Sequence, residues 1–233
     1  MLGAAALAVA VATSGCALFG EEGSGVLVTR RLRVPTEIRR IELGDAFHAT
    51  IRLGVAAPRG EIRIDDNLVD RLRVEVDGDT LAIDLDGAVR NATLRAELDV
   101  TGLRELGVSG ASRAVVEGDV TDDLTVGASG ASRVEIGSVA LDELVLDVSG
   151  ASEVAMAGSA EHVDAEVSGA STLALTGLEA EDVRLDLSGA SSAEVTALDR
   201  LEAAASGASS VRYRGEPDRV ITDASGASSI EPA

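Results

Sequence analysis

The chain of 233 residues has no lysine and no tryptophan, one tyrosine, two phenylalanines, one cysteine and two histidines. Each shortage removes a class of explanation. A single cysteine, Cys16, rules out a disulfide framework. His48 and His162 lie far apart in sequence with no metal-ligand spacing, and no serine has an evident His-Asp partnership, so neither a metal centre nor a nucleophilic triad is written here. Three aromatic side chains give little material for the stacking platforms that sugar-cleaving sites use. All 20 basic residues are arginine and are outnumbered by 40 acids, for a net charge of −20. That balance disfavours nucleic acid and flat docking on an anionic membrane. The charge is uneven: residues 109–233 carry 23 acids and 7 Arg, and residues 17–108 carry 17 acids and 13 Arg.

What the chain does have is one tetrapeptide, Ser-Gly-Ala-Ser, seven times over. The copies start at Ser109, Ser129, Ser149, Ser168, Ser188, Ser206 and Ser225, at steps of 20, 20, 19, 20, 18 and 19 residues. Such a period implies stacked supersecondary units. Counting the first Ser as zero, positions −5, −3 and −1 are apolar or small, as in Leu144, Leu146 and Val148. Positions +5 and +7 are mostly apolar too, as in Val154 and Met156. Both runs alternate with the period of a half-buried strand. The tetrapeptide between them reads as a bend, with Gly supplying the φ freedom. Ala111, Ala131, Ala151, Ala170, Ala190, Ala208 and Ala227 are expected inside that corner as small core residues. Acidic residues such as Asp142-Glu143 and Glu181-Asp182 precede each first strand and read as a second, solvated corner. No helix of ten residues fits in a 20-residue unit. Identical corners once per turn predict an all-β fold: a parallel β-helix, or β-solenoid, of about seven coils of roughly 20 residues rising about 4.8 Å each. Crossover chirality favours the right-handed form.

Residues 1–15, apolar and uncharged, read as a signal peptide. Thr13-Ser14-Gly15-Cys16 resembles a bacterial lipobox, which implies lipidation at Cys16, with residues 16–25 as the tether. Residues 26–108 lack the tetrapeptide but alternate like strands over Val26–Val34, Ile38–Leu53, Glu61–Ile64, Leu72–Val76 and Leu81–Leu85. Asp77-Gly78-Asp79 marks a turn between two of them. This region is expected to form an N-terminal β lobe that covers one end of the 109–233 solenoid.

The tracts Ile38–Gly54 (IRRIELGDAFHATIRLG) and Glu61–Leu85, the SGAS series, and the closing SVRYRGEP at 210–217 followed by SGASS together resemble the bacterial head GIN domain family, described as putative auto-transporter adhesins. The likeness runs from about Arg30 to Pro232. It implies a secreted or lipid-anchored β-helical envelope protein and brings no catalytic residues with it.

The seven leading serines, Ser109, Ser129, Ser149, Ser168, Ser188, Ser206 and Ser225, would form a hydroxyl ladder. It reads either as a repetitive binding face or as a corner whose hydroxyls bond to backbone. The acidic corners read as solvated charge that opposes aggregation; the calcium nonapeptide of β-roll proteins is absent. The expectation is a non-enzymatic envelope module without cofactor or metal, exported and held to the membrane only through Cys16. Its partner would be an extracellular or envelope polymer or protein. The alternative is a polysaccharide-active β-helix enzyme, which shares the architecture.

Overall fold

A computed structural model describes residues 20–233. Residues 1–15, expected as a signal peptide, and Cys16 lie outside the described residues. The predicted β-solenoid is what forms: the seven tetrapeptide corners stack in one row, and the strands on either side pair parallel from coil to coil. Before the corner, Leu124–Ala128 pairs in parallel with 144–148, and the ladder continues through 163–167, 183–187 and 201–205 to Arg219–Ala224. After it, Arg113–Glu117 starts a second ladder through 133–136, 153–156, 172–175 and 192–195 to Ser210–Arg214 and Ser229–Pro232. A third inward run, including Val139, Leu141, Ala160, Leu178, Ala180 and Ala197, closes the coils. The interior is mainly Ala, Val, Leu and Ile, because a coil of about 20 residues encloses too narrow a space for larger side chains.

The corner itself corrects an expectation. The seven alanines do lie in one row, but on the outside: all are exposed. The buried member is the second serine. Ser112, Ser132, Ser152, Ser171, Ser191 and Ser209 are each 1–2 % exposed. The reason is backbone geometry. Each corner glycine is left-handed, with φ between 75° and 79° in all seven copies. It occupies position +1, which strict alternation would turn inward, and the side chains that point in are therefore −5, −3, −1, +3, +5 and +7. Position +1 is instead exposed in all seven copies, and from the second copy on a Cβ there would meet the backbone of the neighbouring coil's glycine and not the core. The buried hydroxyls are satisfied by backbone. Ser191 Oγ donates to the Ser188 carbonyl at 2.6 Å and Ser209 Oγ to that of Ser206 at 2.9 Å. Ser132 Oγ also reaches the Val108 carbonyl of the coil below, at 3.0 Å. A hydroxyl bonded three residues back mimics a turn hydrogen bond, so Ser at +3 holds the bend closed at little desolvation cost.

The N-terminal region joins the same sheet, but its coils are not stacked in chain order. The run read as one strand from Ile38 to Leu53 is broken by a corner at Gly44-Asp45-Ala46-Phe47 into Arg40–Leu43 and His48–Arg52. These form a coil of the solenoid. Arg40–Leu43 pairs parallel with Glu105–Val108 on one side and with residues 80–83 on the other. His48–Arg52 lies between Arg113–Glu117 and Leu94–Asp99 in the same way. Asp45 stands where later coils have glycine, with φ 52°, and Phe47 replaces the buried second serine. The chain thus lays down a coil, caps one side of it, and returns to stack on the other. The cap is antiparallel: Leu72–Asp77 on Thr80–Leu85, Arg59–Asp65 on Leu94–Asp99, and Leu27–Leu32 outermost on Arg59–Asp65. The first of these pairs turns at Asp77-Gly78-Asp79, as the sequence indicates. The outermost strand carries Arg30 and Arg31, charges that discourage edge-to-edge pairing.

Residues 20–25, read from sequence as part of the tether, lie against this lobe. Glu21–Glu22 pairs with Val89–Arg90, and Glu21 and Glu22 form ion pairs with Arg71 at 2.9 Å and Arg90 at 2.8 Å.

Candidate functional site

The leading serines sit at the turn out of the first ladder, and most are half-buried; Ser109 and Ser225 are exposed. Their backbone N–H groups are used coil to coil, as in Ser149 donating to the Ala128 carbonyl at 2.8 Å. Their hydroxyls differ along the row. Those of Ser109 and Ser206 make long contacts of 3.4 Å to the Leu43 and Leu187 carbonyls. Among the described residues, those of Ser129, Ser149, Ser168 and Ser188 make no hydrogen bond within the protein, and none is an unpartnered buried atom, so water reaches them. The two serines of the tetrapeptide therefore differ: the second is buried in the first six copies, and the first presents a free hydroxyl at Ser129, Ser149, Ser168 and Ser188.

Three of the leading serines, Ser109, Ser129 and Ser149, line a shallow groove of about 310 Å³. Its floor is made by Gly107 and Gly127, neighbours in the parallel ladder at the outward position two residues before the corner. The same column carries Glu42 on one side of the glycines and Asp147 on the other, and both border the groove. Neither glycine has a positive φ, so neither is there for backbone conformation. A Cβ at Gly127 would meet nothing within 4 Å. The notch exists only because two side chains are missing. A groove with a free hydroxyl row along one wall and carboxylates at its ends can accept and donate hydrogen bonds to a polyhydroxylated chain.

Beyond Asp147 the column continues as Glu166 and Asp186, three carboxylates on successive coils. All three are exposed and solvated. His162 is exposed; its Nδ1 lies 3.4 Å from Asp182 Oδ2. His48 is on a strand surface. Among the described residues no group of three or more His, Cys, Asp or Glu is placed to hold a metal ion. At the Gly44–Phe47 corner, burial and the neighbouring Asp45 carboxylate push the Asp84 carboxyl above its ordinary value. This strain belongs to the fold, since Asp45 Oδ2 accepts the Leu85 N–H at 3.0 Å. The glycine floor and the split in duty between the serines are absent from the sequence expectations. The Gly107/Gly127 spacing of 20 residues, one period of the repeat, is the signal that marks the floor.

A family model described as "Putative auto-transporter adhesin, head GIN domain" matches residues 38–217. No curated protein sequence matches the chain. Among solved structures, a "putative adhesin" from Bacteroides fragilis superposes with a TM-score of 0.85 at 23% identity, covering 92% of this chain and 100% of that one. A "putative adhesin" from Parabacteroides merdae gives 0.70 at 19%, covering 91% and 98%. A "putative lipid binding protein" from Parabacteroides distasonis gives 0.71 at 19%, covering 91% and 98%. At these identities the likeness is one of fold.

Proposed function

The chain belongs to the head GIN domain family, and from that premise we propose that it is an exported, lipid-anchored, non-enzymatic adhesion module whose SGAS corner binds an envelope or extracellular polymer. The observation that carries the reading is the groove beside the corner, where Ser109, Ser129 and Ser149 meet a floor of two glycines. Adhesion is the activity for which the family and its adhesin-named structural neighbours are called. Repetition suits the role: equal shallow contacts on successive coils add up by avidity along a polymer. A reaction centre would need unique groups with tuned pKa values in a concave site, and the repeated SGAS corners supply none.

Filling the groove tests this without touching the fold. Gly127→Gln should leave the melting temperature unchanged, because the space is open and the φ ordinary. It should weaken glycan-array or envelope-fraction binding by about tenfold, ~1.4 kcal/mol. Ser129→Ala with Ser149→Ala should weaken it in smaller, graded steps. Binding untouched by Gly127→Gln would remove the groove from the mechanism, and depolymerisation of a glycan by purified protein would replace adhesion by catalysis.

The anchor rests on Thr13-Ser14-Gly15-Cys16. Glu21 pairs with the lobe five residues after Cys16, so at most about 18 Å of chain would separate the lobe from the lipid. Cys16→Ser should abolish incorporation of labelled fatty acid and move the protein to the soluble fraction. Labelling that persists in the variant would rule out this cysteine as the acceptor.

A further inference from the structure

The strands on the far side of the corner carry an arrangement the repeat does not predict. In a chain with two acids for every base, one row across the sheet is basic. Arg63 pairs opposite Arg95, Arg95 stands beside His48, His48 beside Arg113, and Arg113 beside Arg133. All five are exposed, on five successive strands. At about 4.8 Å per strand the row is roughly 19 Å long. Beside its N-terminal-lobe end lies a cavity of about 490 Å³ lined by Arg31, Arg52, Arg59 and Arg63 against Glu61, Glu97 and Asp99.

The pairing in this patch is incomplete. Asp99, its side chain only 7% exposed, accepts Arg59 Nε at 2.7 Å and lies 3.5 Å from Arg52. Arg52 is further held by Glu97 and Glu117. Arg59 is 80% exposed and meets Asp99 through Nε alone, which leaves its two terminal nitrogens facing solvent. Among the described residues Arg31, Arg95 and His48 form no ion pair. Within the row Arg63 pairs with Glu61, Arg113 with Glu135, and Arg133 with Glu135 and Glu153; the donors open to a ligand are Arg31, Arg95 and the terminal nitrogens of Arg59, set among carboxylates.

We propose that this row and cavity bind an acidic polysaccharide, the arginines taking its carboxylates and the flanking Glu61, Glu97 and Glu135 accepting its hydroxyls. The chemistry separates this from other polyanions. Interleaved carboxylates repel a phosphate backbone that brings few donors but serve a uronate chain, which offers hydroxyl donors beside each of its carboxylates. The net charge of −20 opposes every polyanion, an acidic polysaccharide included, so the selectivity has to come from the local pattern of arginines and carboxylates. The patch also lacks aromatic side chains, so ionic contacts have to stand in for ring stacking. The inference is independent of the serine groove: the cations lie after the corner, the groove before it.

The probe is polygalacturonate, titrated at low salt against the full chain, with fully methyl-esterified polymer as the neutral control. The wild type should bind the acid form, lose it as salt rises, and ignore the ester. Arg31→Glu with Arg95→Glu should weaken binding at least tenfold. Neither residue is in an ion pair, so folding should survive; Arg31→Gln with Arg95→Gln is the gentler variant if it does not. Gly127→Gln should leave this binding unchanged, which separates the two sites. The proposal is overturned if folded wild type does not bind polygalacturonate, if the ester binds equally, or if both arginine variants bind like wild type. Tighter binding to oligodeoxythymidine or to phosphatidylglycerol vesicles would overturn it as well.

Discussion

Gly150→Ala should destabilise the protein by about 3 kcal/mol or more, an effect far beyond that of a typical surface substitution. Two terms combine. Gly150 has φ 79°, a conformation that costs a residue with a Cβ roughly 1–2 kcal/mol. The added methyl would also stand 2.9 Å from the Gly130 nitrogen and closer still to the Gly130 carbonyl oxygen. That oxygen receives the Ala151 N–H at 2.7 Å, so the clash falls on the hydrogen bond that joins one corner to the next. Relief requires the coils to separate, and in a stack each coil is held chiefly by its neighbours. Ala151→Leu, one residue on, should be nearly neutral because that side chain points to solvent. Denaturant melts of the two variants side by side decide the matter. Equal costs, or a Gly150→Ala midpoint matching wild type, would mean the corner is not built as described.

The contrast between these neighbours shows where sequence reading reaches its limit. The period, the parallel stack and the inward positions −5, −3, −1, +5 and +7 were legible because burial alternates and hydrophobic spacing reports it. The corner was not, because hydropathy is a poor guide where the backbone turns. A small apolar alanine looked internal and a hydroxylated serine external, yet a left-handed glycine and a local hydrogen bond reversed both. The coil at Arg40–Arg52 was hidden for a similar reason: Gly44-Asp45-Ala46-Phe47 makes the same bend with Asp45 in place of glycine. Its position between residues 80–99 and 105–117 depends on long-range pairing that no local pattern encodes. The candidate site was half legible. The serine row announces itself by repetition. The glycine floor and the arginine row appear only once register brings residues from separate coils side by side.

Asp65→Asn should cost about 2–3 kcal/mol, the larger of the effects expected in the N-terminal lobe. Asp65 ends the strand Arg59–Asp65, is 1% exposed, and makes no ion pair among the described residues. Its two oxygens have separate tasks: Oδ1 accepts the Gly25 N–H and Oδ2 the Thr93 N–H, each at 2.7 Å. One carboxylate thereby fixes the incoming chain, the cap strand and the loop before Leu94–Asp99. The fit is close, since a Cβ at Gly23 would lie 2.6 Å from Oδ2. Asparagine keeps the shape but turns one acceptor into an N–H donor facing an N–H. One part-buried backbone donor is then left without a protein partner, and the remaining bond loses its charge assistance. The damage should be local before it is global. Amide hydrogen exchange should quicken first at residues 21–25 and 91–93, while the SGAS coils keep their protection until the stack melts as a whole. Unchanged exchange in those two segments, with an unchanged melting temperature, would show that the lobe is held by its ion pairs to Arg71 and Arg90 and not by this buried carboxylate.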